Sequence, residues 1–207
     1  MKNTPQPPDL MKRKLLSLLA SLPLFTACSA NSRNLSTDPE DVRLRKKFRG
    51  IYGLVVRIDA TSPKHGVTLT NERGRVIASP SILAPKGGGS LTYTDNSMPV
   101  PKAVRATWRE NPKAIWGKSG GIEWEGTIIG DYTVPVADRI PDSILDYIRE
   151  NGGALRLKIR LKDDGILIGW DVERRVHKGS WCVKSSGETC FQIEYSIPGG
   201  DFLETKY

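Results

Sequence analysis

Residue types that carry catalysis or bind metals are scarce in this sequence. The chain has 207 residues but only two histidines and three cysteines. Neither His65 nor His177 has neighbours spaced like the three or four ligands of a zinc site, so both are expected at the surface. The Gly-Lys-Ser at residues 117–119 lacks the first glycine of a phosphate-binding loop, because Pro112 stands there. We therefore expect no catalytic residues, no metal and no cofactor.

Long apolar runs are also missing, which argues against a membrane-spanning helix of about 20 apolar residues. The most apolar stretch, residues 15–25, follows the basic residues 12–14 and ends just before small residues and Cys28. A basic segment, a short apolar segment and small residues before a cleavage site are typical of a secretory signal peptide. Residues 1–27 are therefore predicted to be a leader and signal peptide, with translation starting at Met1 or Met11.

Cys28 directly follows Thr26 and Ala27, an arrangement typical of a bacterial lipobox. We expect cleavage before Cys28, a diacylglycerol on its thiol and an acyl chain on its new amine. Several chains on one residue give a stable membrane anchor. Ser29 replaces the aspartate of the usual inner-membrane retention signal, which favours the outer membrane. The expected location is the cell envelope, facing the periplasm; an ordinary signal peptide with a chance cysteine is the alternative.

Net charge and composition give further expectations for the part of the chain after residue 27. The chain carries a net charge of +8, and its first 27 residues hold four basic residues and one acidic residue, so the exported part carries +5. Export argues against a nucleic-acid partner and favours anionic lipid or an acidic protein.

Residues 28–47 are predicted to be the lipidated cysteine and a flexible tether. The basic run at residues 43–49 either lies against headgroups or begins a solvated strand. Residues 48–207 are predicted to form a single β-rich domain.

The two remaining cysteines are Cys182 and Cys190. An even pair in an oxidising compartment predicts a disulfide bond between them. A redox-active pair is the less favoured alternative, because such pairs are usually separated by two residues.

Much of the domain shows the two-residue alternation of β-strands. Residues 51–58 are apolar on both faces, which predicts a central strand, and residues 67–78 predict a hairpin. Residues 79–98 are expected to be a long loop. Residues 191–197 alternate as a last strand.

Two alternating segments, residues 100–109 and 122–129, predict half-buried neighbouring strands. Acidic side chains of the second are expected opposite basic side chains of the first: Glu123, Glu125, Arg105 and Arg109. Glu123 and Glu125 would also lie about 6.5–7 Å apart on one face, near the lower limit for an inverting glycosidase. A hydrolase using this pair is the minor alternative to a salt-bridged sheet face.

Residues 140–151 carry one apolar stripe at helical spacing, and this predicts the single helix. Asp164-Gly165 predicts a type I′ turn that pairs Leu161 with Ile168. The opposite face of that hairpin carries a basic stripe, expected to be solvated: Arg156, Lys158, Arg160 and Lys162. The fold class predicted is mainly β (α+β), an antiparallel sandwich or curved sheet with one helix packed on it.

The five tryptophans divide into two predicted groups. Trp108, Trp124 and Trp170 fall on inward faces and are assigned to the core. Trp116 and Trp181 fall in loop-like segments beside glycine and serine. Because tryptophan is enriched at interfaces, these two are candidates for partner contact, with packing at the rim of the domain as the equal alternative.

Two sequence blocks, together with the lipobox, resemble a family of bacterial lipoproteins that carry a domain of unknown function. The first block is residues 100–109, and the second begins at residues 139–143 and ends at residues 169–174. The resemblance spans roughly residues 50–195. Members of that family often look like the immunity partners of type VI secretion phospholipase effectors. The family pattern describes no catalytic residues.

The resemblance therefore implies a lipid-anchored, non-enzymatic protein that binds and inhibits a secreted lipase or phospholipase toxin. A defender of the cell's own phospholipids must sit in the same compartment as the toxin and close to the membrane. The alternative is a non-catalytic structural or assembly lipoprotein of the envelope, such as a ligand-binding module.

Overall fold

The computed structural model describes residues 38–85, 88–93, 99–117, 120–177 and 190–204. Within these ranges the chain forms two α-helices and a 3-10 helix at Ala137–Arg139; the α-helices are α1 (Pro39–Lys47) and α2 (Asp142–Asn151). The strands are β1 (Leu54–Ala60), β2 (Lys64–His65), β3 (Thr68–Asn71), β4 (Val76–Ala78), β5 (Ile82–Leu83), β6 (Ser90–Tyr93), β7 (Ala103–Trp116), β8 (Ile122–Pro135), β9 (Ala154–Lys162), β10 (Gly165–His177) and β11 (Phe191–Gly200).

The strands form three sheets. The largest has the order β11-β10-β9-β1-β6, the second has the order β4-β3-β7-β8, and β2 pairs with β5 alone. The described pairings are antiparallel except for β1 with β9, which is parallel. The predicted mainly β fold is confirmed, and β1 is the buried inner strand predicted near residues 51–58.

One core joins the two larger sheets and α2. The helix predicted over residues 140–151 begins two residues later, at Asp142. The stripe predicted from its spacing is nevertheless buried: Ile140, Ile144, Leu145 and Ile148. These side chains share a cluster with Leu155 and Ile168 of the large sheet and with Val104 of the four-stranded sheet. At the end of α2, the amide of Gly152 donates to the carbonyl of Ile148 at 2.8 Å with a φ of +73°, a conformation that favours glycine.

The flexible tether predicted over residues 28–47 is wrong for its last nine residues, which form α1. Asp38 caps this helix by accepting the Glu40 amide at 2.9 Å, and Pro39 occupies its first turn. Leu44 is buried at 8% exposure, so the helix packs on the domain. Residues 28–37 and Cys28 itself lie outside the described residues.

The hairpin of β9 and β10 keeps the predicted faces but not the predicted register. Leu161 pairs with Ile166 rather than Ile168, because the two-residue loop is Asp163-Asp164 and Gly165 already belongs to the strand. Neither loop residue adopts the positive φ of a type I′ turn. A shift of two residues leaves every side chain on its predicted face, and for this reason the core positions were still correct.

Two further predictions are corrected. The loop predicted over residues 79–98 contains β5 and also β6, which pairs with β1 at the edge of the large sheet. The strands β7 and β8 are neighbours, but Glu123 lies opposite Ile115 and Glu125 opposite Lys113. Arg105 instead pairs with Asp131 at 2.5 Å, because β7 continues to Trp116 and the end of that strand, rather than the two arginines, lies opposite the glutamates.

Candidate binding surface

The hairpin of β7 and β8 continues far past the sheet that holds it. Each strand has 14 residues, yet β3 pairs with β7 only from Val104 to Thr107. Beyond that point the described residues 109–116 and 122–129 pair only with each other. We call this two-stranded segment the arm.

Backbone irregularities interrupt the regular pairing of the arm. Asn111 has a φ of +47° and Gly126 a φ of +124°, and the register shifts between Glu110 and Lys113. A Cβ on Gly126 would lie 2.8 Å from the carbonyl oxygen of Glu110, so a side chain does not fit there. Such bulges change the direction of a strand and increase its twist.

Contacts with residues directly after β2 and directly after β4 hold the arm in place. Gly66 lies so close to Pro112 that a Cβ on the glycine would approach the proline Cβ to 2.4 Å. The guanidinium Nη1 of Arg109 donates to the Gly66 carbonyl at 3.1 Å. Trp124 is half-buried here rather than in the core, which corrects its predicted assignment. Farther out, the Ser79 hydroxyl donates to the Ile122 carbonyl at 3.3 Å.

The tip of the arm exposes large apolar side chains. Trp116 is 78% exposed, and its cross-strand partner Ile122 is 50% exposed. Ile128 and Ile129 add exposed apolar surface along the same strand, at 48% and 58%. Trp116, a predicted candidate for partner contact, therefore lies on open surface, whereas Trp108 and Trp170 are buried as predicted.

The carboxylates of the arm do not form an enclosed site. Glu123 and Glu125 are both exposed, and the Glu123 carboxylate folds against Gly117 of its own hairpin, where a Cβ would meet its Oε1 at 2.1 Å. An inverting glycosidase requires two carboxyl groups flanking a bound sugar. The described geometry offers no support for the hydrolase alternative.

Sequence reasoning overlooked one motif in the same hairpin. Residues 117–121 spell Gly-Lys-Ser-Gly-Gly, which matches the letters of the G-x-S-x-G nucleophile motif. That motif needs a sharp turn from a strand into a helix, but these residues join two antiparallel strands, β7 and β8. The match therefore lacks the structural context of a serine hydrolase, and Ser119 itself lies outside the described residues.

The predicted solvated stripe on the large sheet is in fact largely buried. Arg156 and Lys158 are 3% and 0% exposed. Asp171 pairs with both, at 2.6 Å from Arg156 Nη2 and 3.3 Å from Lys158 Nζ. Burial lowers the pKa of Lys158 below its ordinary value, and the Asp171 carboxylate opposes that shift. Arg160 forms a second pair with buried Asp59 at 2.8 Å.

The segment after β11 covers part of this charged face of the sheet. Phe202 is buried with its ring centroid 4.4 Å from the Arg160 guanidinium and 5.1 Å from Lys158 Nζ. The Glu204 carbonyl accepts from Lys158 at 2.9 Å. Asp201 anchors the segment by accepting the Ile168 amide at 2.8 Å and by pairing with Arg139 at 2.5 Å. Because these buried charges have partners, we interpret them as structural: they hold the segment after β11 onto the large sheet.

The other predicted residues are distributed away from the arm. His65 and His177 are exposed as predicted. Cys182 and Trp181 lie outside the described residues, so the pairing of Cys182 with Cys190 and the contact role of Trp181 stay predictions. Across the described ranges no group of histidine, cysteine, aspartate and glutamate side chains is arranged to hold a metal ion, and no helix there has the length and apolar character to cross a membrane.

Comparison with known proteins adds no assignment. No family model, no curated protein and no solved structure matches this chain.

Proposed function

We propose that this chain is a lipid-anchored envelope protein that binds a secreted lipase or phospholipase of a type VI secretion system and blocks it, with the tip of the arm as its contact surface. The observation that carries the proposal is the exposed pair of Trp116 and Ile122. Tryptophan is enriched among the few residues that dominate the energy of protein interfaces. Inhibition by such a surface requires occlusion and no chemistry.

The position of the arm relative to the predicted anchor suits this role. The anchor at Cys28 leads into α1, and Asp41 of α1 pairs with Lys102 at 2.8 Å, directly before β7 begins. The tip lies at the other end of β7, roughly 40 Å farther along the hairpin at about 3.3 Å per residue. Within the described domain, the tip of the arm therefore lies at the end of β7 opposite to the one that contacts α1.

The arm also has a defined structure before any partner binds, which favours tight binding. Its base is fixed by the close approach of Gly66 to Pro112, and its strands are paired up to Trp116 and Ile122. A contact surface ordered before binding loses less conformational entropy when the complex forms. This supports a stoichiometric inhibitor whose arm fills a concave apolar site, such as the acyl-binding cleft of a lipase.

Co-expression in a sensitive cell tests the proposal. The lipase encoded beside this gene would be sent to the periplasm with the intact protein, with the double variant Trp116→Ala and Ile122→Ser, or with Val76→Ser as a control. Val76 is 50% exposed, like Ile122, but lies on β4 away from the arm. The intact protein and the control should protect the cell, and the double variant should not.

Two outcomes would overturn parts of the proposal. Failure of the folded, lipidated intact protein to protect would reject inhibition and favour the envelope-assembly alternative, which predicts a weakened envelope on deletion without any toxin. Full protection by the double variant would reject the arm as the contact. A Cys28→Ala variant in the same assay separates the need for anchoring from the need for export.

A further inference from the structure

Helix α1 has two chemically different sides. Its inner side carries buried Leu44 and the carboxylate of Asp41, which is only 12% exposed. Asp41 pairs with Arg73 at 2.6 Å as well as with Lys102. Glu40 is held by Arg43 at 2.6 Å, and Arg43 also pairs with Asp138. The acidic groups of the helix are thus engaged in ion pairs, several of them with the domain.

The outer side carries cations and exposed apolar groups. Lys46 and Arg49 follow Val42 at the i+4 and i+7 positions, so the three side chains fall on one side of the helix and its first following turn. Val42 is 49% exposed, and Tyr52, three residues after Arg49, is 71% exposed. The side chains of Lys46 and Arg49 are exposed, whereas the neighbouring Lys47 pairs with Asp142 at 3.9 Å. Arg45 is exposed next to them.

We infer that this outer side and the exposed Tyr52 that follows it in the chain, together the cationic patch (Val42, Arg45, Lys46, Arg49 and Tyr52), lie on the surface of an anionic phospholipid bilayer. Lysine and arginine near such a surface each contribute to binding, and tyrosine is favoured at the level of the headgroups because its ring is apolar and its hydroxyl polar. The charge of the patch is complementary to anionic lipid, and the ion pairs of Asp41 turn its carboxylate away from that surface.

The inference extends the proposed function, because it states how the anchored protein meets its membrane. Asp38 lies ten positions after Cys28, and a chain of that length spans at most about 35 Å. The patch therefore stays within reach of the headgroups in an anchored molecule. Contact through α1 would orient the domain, with the start of β7 near the lipid and the tip of the arm at the far end of the hairpin.

Co-sedimentation with vesicles tests the patch without the lipid anchor. The mature chain, residues 28–207 with Cys28→Ser, would be mixed with vesicles of phosphatidylcholine alone or with 30% phosphatidylglycerol. We expect binding only to the anionic vesicles and weaker binding at high salt. The double variant Lys46→Gln and Arg49→Gln should lower the partition coefficient roughly 25-fold, at about fivefold per charge.

A matched control removes the same net charge elsewhere. Lys113→Gln with Arg175→Gln changes two exposed cations on β7 and β10 and should leave the partition coefficient within about twofold. An unchanged urea-unfolding midpoint would show that each variant is folded. Absence of binding by the intact chain, or an equal loss in the control, would overturn the inference. Vesicle binding without protection from the lipase would reject the proposed function and leave this inference standing.

Discussion

Arg156 and Asp171 form a two-point ion pair inside the large sheet. Arg156 Nε donates to Asp171 Oδ1 at 2.7 Å, and Nη2 donates to Oδ2 at 2.6 Å. The two side chains are 4% and 0% exposed, and the ring of Tyr195 lies 3.7 Å from the guanidinium carbon. Charges removed from water to this degree are tolerated only when their partners are complete. The two buried cations Arg156 and Lys158 therefore depend on the same carboxylate, that of Asp171.

Asp171→Asn should destabilise the protein by roughly 3–5 kcal/mol, because it leaves Arg156 and Lys158 buried without their carboxylate. The control is Asp131→Asn, which breaks a pair of similar geometry with Arg105 at the surface. Water replaces the lost partner there, so a much smaller change is expected. Urea unfolding at neutral pH measures both free energies, and equal costs would contradict the importance of burial.

Asp201→Asn should remove stability that depends on pH. The Arg139 guanidinium lowers the pKa of Asp201 below its ordinary value of 3.8; burial opposes the shift, and the Ile168 amide adds to it. A carboxyl whose pKa is lower in the folded state stabilises the fold above pH 3.8 and loses that contribution as the pH falls through the folded-state pKa. The variant should cost about 1–2 kcal/mol at pH 6 and progressively less below pH 4.

Urea unfolding of the wild type and Asp201→Asn at pH 6, 4 and 3 checks this dependence. Asp164→Asn is the control, because the pKa of Asp164 is also lowered, by Lys162, but its side chain is 77% exposed. A constant difference between wild type and Asp201→Asn across the pH range would show that the charge of Asp201 does not stabilise the segment after β11.

Gly66→Ala should displace the arm, because the new Cβ would lie 2.4 Å from that of Pro112. The matched control is Gly74→Ala. Both glycines have a positive φ, +53° and +72°, but a Cβ on Gly74 meets nothing within 4 Å. The control should cost only the backbone strain, about 1–2 kcal/mol. Gly66→Ala should cost more and speed amide hydrogen exchange in residues 109–116; equal effects would mean that the contact does not hold the arm.

Trp116→Ala should leave the free energy of unfolding within about 0.5 kcal/mol of wild type, because the side chain is open to water. Trp108→Ala should cost about 3–5 kcal/mol, since this tryptophan is 3% exposed and stacks on Tyr132 at 5.4 Å between ring centroids. Thermal or urea unfolding compares the two. A large loss in the free energy of unfolding for Trp116→Ala would show that Trp116 stabilises the fold and would weaken the case for a role in binding.

Periodicity was a reliable guide wherever one face of an element enters the core. Spacing alone assigns to the core the stripe of Ile140 and three residues of α2, and all four side chains are buried. The alternation of β9 and β10 likewise identified the core side chains, including Leu157 and Ile168. This works because a helix or strand segregates its apolar residues along the chain before any tertiary contact forms.

The registers of two hairpins, β9–β10 and β7–β8, differ from the predicted ones. Asp164-Gly165 has the sequence of a type I′ turn, but the chain turns at Asp163-Asp164. Lys64, itself buried, pairs with Asp163 at 2.5 Å, which is a contact between residues 99 positions apart. In the other hairpin, β7 continues past Arg109 to Trp116, so Glu123 and Glu125 pair near the tip rather than with the arginines. The local turn sequences do not indicate the register of either hairpin.

The sequence by itself determined the mainly β class, the amphipathic faces of the strands and α2, and the exposure of both histidines. Tertiary structure alone decided that Arg156 and Lys158 are buried. The ring of Tyr195 lies against Arg156, and Phe202 and Glu204 return over Lys158 from more than 40 positions away. Tertiary structure also decided that Trp116 stands exposed at the end of an arm, since β3 pairs with only the first part of β7. Alternation shows which side chains share a face, but burial of that face depends on which distant segment packs against it.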